Sequence, residues 1–295
     1  MLNKLKDIYI HKYKQLFVIT IIMLLFFGSV LVLHKMQTGE FVAKDVSLKG
    51  GLLITIQSDK ELNLDEIASA LSAELGTSVS IKELMGIGTT KLGYSFTLEP
   101  ISTETALNAI SKVTGLELAQ GSYTVEEISS GLGATFWDNT LKAIAFAFAF
   151  MAIVVFLYFR KVVPSLAVVI CAISNVAGTL AIMDLISMKL SVGGVAALVM
   201  LIGYSVDTDI LLSTRMLKRT EGSIPERALA TVKTGMTMQL TAISALAVLF
   251  FVSPAEILKQ ISFMIIVGLL LDIPNTWIQN AGIVRWYLER KHGKT

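Results

Sequence analysis

Six apolar runs, each long enough to cross a membrane, constrain this chain more than any other feature. They lie near residues 15–33, 140–159, 163–183, 190–214, 234–252 and 261–284. A helix needs about 20 apolar residues to cross a ~30 Å hydrocarbon core, so each run reads as one span. Composition agrees, with 54% hydrophobic and 16% charged residues over 295 positions, which places the chain among integral membrane proteins. The first run, "LFVITIIMLLFFGSVLVL", has no small-residue cleavage site and passes directly into "HKMQTGE". It is expected to stay as an anchor and not to be removed as a signal.

Lysine and arginine placement sets the expected orientation. Lys4, Lys6, Lys12 and Lys14 precede the first span, and Arg160 and Lys161 separate the second from the third. Residues from Arg215 to Lys233 separate the fourth from the fifth, and Arg285 to Lys294 follow the sixth, whereas the intervening short loops offer only Lys189 and Lys259. This bias predicts a multi-pass protein of the cell membrane, with a cytoplasmic N-terminus (1–14), a cytoplasmic basic tail (285–295) and residues 34–139 outside. The net charge of +2 reflects topology, and no nucleic-acid partner is expected beside the lipid bilayer. Cys171 is the sole cysteine and falls in the third span, so the exported segment has no disulfide. His11, His34 and His292 are scattered at membrane edges, and no metal site or cofactor is expected.

The external segment repeats one pattern twice. "GLLITIQ" reads as a strand, "LDEIASALSAELG" as a helix with Leu64, Ile67, Leu71 and Leu75 on one face, and "SVSIKELM" as a strand. "LGYSFTLEP", "STETALNAISKVTG" with Leu107, Ile110 and Val113, and "SYTVEEIS" then repeat the order. Asn63 and Ser102 stand where N-caps are expected, and Gly76 and Gly115 where a left-handed C-terminal cap favours glycine. Two strand-helix-strand units predict a four-stranded antiparallel sheet with two helices on one face, the ferredoxin-like arrangement. Gly50 and Gly51 are read as a bulge or a tight start to the first strand, because no helix start follows them to hold a phosphate. The fold class is therefore an α-helical membrane protein of six spans with one external α+β domain.

Polar residues in the spans are patterned. In the fourth span, "LIGYSVDTDILLSTR" places Asp207 and Asp209 in what would otherwise be hydrocarbon, where carboxylates are costly and mark function. In the fifth, Thr234, Thr237, Thr241 and Ser244 recur at three- and four-residue steps. In the sixth, Asp272, Asn275 and Gln279 make a second stripe, with Pro274 able to open the helix locally. Counted from the membrane edge at ~1.5 Å per residue, these groups overlap in depth and predict a hydrated pathway between the three helices. Packing between polar stripes alone is the simpler reading, and it weakens once three aspartates are included.

An intramembrane aspartyl protease needs two carboxyls sharing a proton across facing helices. Asp207 and Asp209 are about 200° apart around one helix and cannot pair with each other. Asp207 with Asp272 lacks the GxGD context of such proteases, so no enzymatic activity is expected.

The order of one span, one external domain and five spans resembles the SecD/SecF family of protein-export membrane proteins. The likeness is to the archaeal SecF-type branch, and the family is related to RND-type proton-driven transporters. "DVSLKGGLLITI" resembles the Gly-Gly strand that opens the family's external domain, and "LIGYSVDTDILLSTRM" its fourth-span signature beginning Gly-Tyr-Ser. "LATVKTGMTMQLTAIS" and "GLLLDIPNTWIQNAGIVRWYL" are similar to the fifth and sixth spans. Bacterial members follow Gly-Tyr-Ser with a hydrophobic residue and Asn-Asp-Thr. Here Thr208 occupies the usual acidic position, flanked by Asp207 and Asp209, and Lys233 stands where those members place arginine. The resemblance implies an accessory role in polypeptide translocation through the Sec channel, in complex with SecD, with proton entry supplying work.

From this, Asp207 is expected as the proton-exchanging group, Asp209 as its inner neighbour and Lys233 as a nearby cation, with Asp272 a further candidate. Thr208, Thr237, Thr241, Ser244, Asn275 and Gln279 line the expected pathway. A six-span unit is half of the twelve-span architecture that such transporters build from paired repeats, so a partner half is expected. Gly193, Gly194 and Gly203 are expected to allow close helix packing on the partner-facing surface of the fourth span. The alternative is a non-transporting scaffold that binds a partner through its external domain and tolerates asparagine at 207.

Overall fold

A computed structural model describes residues 9–10, 12–85, 91–116, 118, 121–219, 221–253 and 255–292. Lys4, Lys6, His11 and Lys294 lie outside the described residues, and so does that part of the expected termini. In chain order the elements are α1 (Tyr13–Thr38), α2 (Val46–Lys49), β1 (Gly51–Ile56), α3 (Leu64–Leu75), β2 (Val79–Met85), β3 (Lys91–Leu98), α4 (Thr103–Thr114) and β4 (Tyr123–Ile128). There follow α5 (Ser130–Phe159), α6 (Val162–Leu185), α7 (Val192–Lys218), α8 (Ile224–Val252), α9 (Glu256–Pro274), a π-helical segment (Asn275–Asn280) and α10 (Ala281–His292). Six helices among the described residues are long and apolar enough to cross a membrane, the last running from α9 through the π segment into α10.

Each observed helix outlasts its apolar run. The fifth starts at Ile224 and not near 234, because Ser223 and Glu226 form a capping box and Pro225 fits the first turn. Those first turns carry charged residues and extend past the hydrophobic stretch that defined the expected span.

The small domain follows its expected repeat. The Asn63 side chain accepts from the Glu66 amide and Ser102 from the Thr105 amide, while Gly76 and Gly115 adopt the left-handed conformation after α3 and α4. The antiparallel sheet has the order β2-β3-β1-β4. Leu52, Ile54 and Ile56 of β1 and Tyr94, Phe96 and Leu98 of β3 form its core with Ile67, Leu71, Ala106 and Ile110 of the two helices. Gly51 opens β1 at φ +141°, where an added Cβ would lie 2.3 Å from the Leu98 carbonyl oxygen, so the tight strand start requires glycine.

Main-chain hydrogen bonds fasten this domain to the bundle. The Asp45 amide donates to the Leu190 carbonyl at 2.8 Å, and the Leu190 amide donates to the Ala43 carbonyl at 2.7 Å. Val42 and Leu48 join one hydrophobic core with Met183, Leu190, Leu198 and Ile265 of the spans. Gly133 lets α5 approach the backbone of Lys49 and Gly50, where a Cβ would sit at 2.6 Å. Within the bundle α6 and α7 are the most enclosed helices, and α1, α5 and α8 expose most of their apolar surface.

Candidate functional site

The helical period decides what each aspartate of α7 does. Ser205, Thr208, Asp209, Leu212 and Ser213 follow three- and four-residue steps and are buried, whereas Gly203, Tyr204 and Asp207 lie on the exposed side. Two residues of helix turn the side chain by about 200°, so one carboxylate points into the bundle and its neighbour points out.

Asp272 sits at the centre of the inner face. Its Oδ1 accepts from Asn175 Nδ2 at 2.5 Å and from Ser205 Oγ at 2.6 Å. Its Oδ2 accepts from Thr208 Oγ1 at 2.8 Å and from Gln239 Nε2 at 2.5 Å. Four donors from α6, α7 and α8 thus converge on one fully buried carboxylate, and bonds to a charged acceptor contribute about 1.5–3 kcal/mol each. Around this centre, Asn275 Nδ2 donates to Asn175 Oδ1, Ser174 Oγ donates to Asn275 Oδ1 at 3.3 Å, and Trp277 Nε1 donates to Gln239 Oε1 at 3.4 Å. In apolar surroundings a fully connected network of this kind fixes the register of its helices.

Asp209 is equally buried but less satisfied. Asn280 Nδ2 donates to its Oδ1 at 2.7 Å, and the Thr276 side chain lies beside the same carboxyl group. Asn280 Nδ2 also approaches Ser213 Oγ at 3.4 Å.

The π segment between α9 and α10 brings these residues into place. It follows Pro274, the residue expected to open the helix, and side chains from elsewhere meet its carbonyl groups. Cys171 Sγ donates to the Asn275 carbonyl at 3.2 Å, and the Tyr9 hydroxyl donates to the Trp277 carbonyl at 3.0 Å. Burial pushes the Tyr9 phenol up to about 12, so it remains a donor at neutral pH.

The predicted residues therefore separate into two groups. Thr208, Asp209, Asp272, Asn275 and Gln279 are buried together between α6, α7 and the sixth span. Asp207, Lys233, Thr234, Thr237, Thr241 and Ser244 are exposed on the outside of α7 and α8. Thr237 and Ser244 donate to carbonyls of their own helix, those of Lys233 and Leu240, and Thr241 does the same. The expectation that three polar faces enclose one pathway is thus corrected for the fifth span, which turns its hydroxyl stripe away from Asp272. The buried side of α8 contributes Gln239 instead. Lys233 makes no ion pair with an aspartate among the described residues.

Gly193 and Gly194 are also corrected. They do allow close helix packing, but inside the chain and not on a partner-facing surface: an added Cβ would lie 2.6 Å from Ile257 and 2.7 Å from Leu190, and of the three only Gly203 has open space beside it. Sequence reasoning missed Asn175, Ser205, Gln239, Thr276 and Asn280. The available signal was a lone amide inside an apolar run, as in "AISNVAG" and "MTMQLTA".

Comparison with known proteins gives this geometry its context. The sequence profile described as "Protein export membrane protein SecD/SecF, C-terminal" matches residues 109–290. The chain belongs to the SecD/SecF family. Protein-export membrane protein SecF of Pyrococcus furiosus is 37% identical over 269 residues, covering 90% of this chain and 88% of that relative. SecF of Methanothermobacter thermautotrophicus is 40% identical over 252 residues, covering 83% and 84%. The fold resembles the crystal structure of SecDF, a translocon-associated membrane protein from Thermus thermophilus, with a TM-score of 0.75 at 17% identity, over 94% of this chain and 38% of that one. A heavy metal efflux pump shares the fold more distantly, with a TM-score of 0.50 at 10% identity, over 82% of this chain and 36% of the pump. The chain is thus a protein-export membrane protein with an RND-like fold, spanning about two fifths of the solved SecDF chain.

Proposed function

We propose that the chain is one half of an export-assisting transporter. It pairs with SecD through the outer face of α7 and α8, and the pair uses proton entry to do work on polypeptides at the Sec channel. In this reading the chain catalyses no chemical reaction. Its termini are cytoplasmic and its small domain faces outward to meet emerging chains, an orientation that the lysine and arginine bias supports.

One observation carries the reading. Asp207 stands on the exposed side of α7, well inside an apolar span, and makes no hydrogen bond or ion pair among the described residues. A carboxylate at that depth is incompatible with lipid and calls for protein or water opposite it. Gly203 leaves room for a close neighbour, and Thr237, Thr241 and Ser244 extend the polar surface along α8. A second half related by pseudo-symmetry would cover this face and place Asp207 at the joint, where transporters of paired repeats locate their coupling ions.

The test is Asp207→Asn in the complex with SecD, reconstituted with the Sec channel under an imposed proton gradient. Assembly should persist, while gradient-driven stimulation of translocation falls by roughly 10²-fold, the lower range for removal of a proton-transferring group. Full stimulation with asparagine at 207 would favour the scaffold reading.

A further inference from the structure

Arg160 and Lys161 are the two residues between α5 and α6, so they stand where the second span ends at Phe159 and the third begins at Val162. The fourth span ends at Lys218, and Arg219 follows it. Packing joins the two places. Phe159 shares a hydrophobic cluster with Leu217, and Lys218 Nζ lies 4.2 Å from the centre of the Tyr158 ring. Thr214 Oγ1 also donates to the Tyr158 hydroxyl, at 3.3 Å. Four cations are thus gathered at one corner of the bundle, at the level where its helices leave the hydrocarbon.

None of the four forms an ion pair among the described residues, and Glu221, two residues past Arg219, pairs with none of them. Neighbouring arginines are occupied. Arg215 donates to the Ala230 carbonyl at 3.3 Å and Arg227 to the Met216 carbonyl at 3.2 Å, and both tie α7 to α8. Arg160 is also unusual in its backbone. It closes α5 in the left-handed conformation, at φ 52°, a position that favours glycine. A cation is therefore kept where the local backbone would prefer no side chain.

We propose that this corner binds the phosphate headgroup of an anionic lipid. Arginine forks match phosphate oxygens in bidentate pairs, and lysine adds a mobile point charge. Clusters of four or more such residues at the ends of membrane helices attract anionic headgroups. What lies beside the corner favours lipid over a soluble partner: Val154 and Leu157 of α5 and Val162 and Leu166 of α6 are exposed apolar side chains on the two helices that leave the turn. Acyl chains run along them while the phosphate meets the cations, and the half-exposed Tyr158 sits at the membrane interface as tyrosines do. The site involves neither Asp207 nor the buried network around Asp272, and it does not rest on the proposed export mechanism.

The experiment uses the purified full-length chain in mild detergent, titrated with phosphatidylglycerol or with phosphatidylcholine and read by native mass spectrometry. Wild type should retain phosphatidylglycerol in preference to phosphatidylcholine. Lys161→Gln and Lys218→Gln should each weaken that retention by about fivefold, the contribution of one cation close to an anionic membrane surface. Arg160→Gly should weaken it as much while the thermal unfolding temperature stays unchanged or rises, since glycine suits that backbone. Removing two charges from another corner of the same end, with Lys12→Gln and Lys14→Gln together, should leave retention unchanged. Glycerol phosphate, a headgroup without chains, should not displace the lipid at equal concentration. Equal retention of the two lipids, full retention by the Arg160→Gly, Lys161→Gln and Lys218→Gln variants, or an equal loss in the Lys12 and Lys14 control would each overturn the site. So would displacement by glycerol phosphate or tighter binding of a short RNA oligomer.

Discussion

At the residue scale, the two aspartates of α7 differ because two residues of helix reverse the direction of a side chain. The sequence made that opposition legible, since the spacing of Asp207 and Asp209 puts them on opposite faces. It did not reveal which face is inward, because both neighbourhoods offer hydroxyl groups and small residues. The inward side is set by partners distant in sequence: Asn175, Gln239 and Asp272 meet Ser205 and Thr208 only once four helices assemble. Gln239 is the most exposed to a direct test, since its amide donates to Asp272 and its carbonyl accepts from Trp277. Gln239→Leu keeps the volume but leaves a buried carboxylate oxygen one donor short and the indole unpaired. A loss of about 1–3 kcal/mol is expected in an unfolding titration in mixed micelles. Wild-type stability would mean that the network tolerates an open position.

At the element scale, the π segment and the start of α8 bring the polar groups into register. Proline at 274 signalled a local opening, but not that the opening would be a π segment followed by another helix to His292. Hydropathy reads apolar length, and it passes over turns that continue the same helix with polar residues. α8 illustrates this, because its capped first turns precede the apolar run. Gly235 shows how close the two elements lie, for an added Cβ would meet Trp277 Cζ2 at 2.2 Å. Gly235→Ala should therefore displace the indole and loosen the Gln239 contact. Overpacking of this kind costs about 1–3 kcal/mol, to be read from thermal unfolding together with a shift in tryptophan emission. An unshifted spectrum with unchanged stability would show that α8 moves aside without cost. The small domain was legible almost residue by residue, because its caps and alternating strands are local signals that long-range packing did not override.

At the scale of the whole molecule, the bundle has two kinds of outer surface. α5 presents Phe146, Phe150, Ile153 and Leu157, an apolar face suited to lipid. α7 and α8 present Gly203, Asp207, Thr237, Thr241 and Ser244, a face that lipid does not satisfy. Under the proposed pairing, this asymmetry favours α7 and α8 as the face that meets SecD. The most direct measurement is cysteine cross-linking in native membranes, in a Cys171→Ser background, with single cysteines at Gly203, Thr237 and Ile153 paired against a panel of single cysteines in the spans of SecD. The account predicts disulfide-linked heterodimers from positions 203 and 237 and none from 153. Heterodimers from 153 alone would place SecD on the α5 face and contradict it.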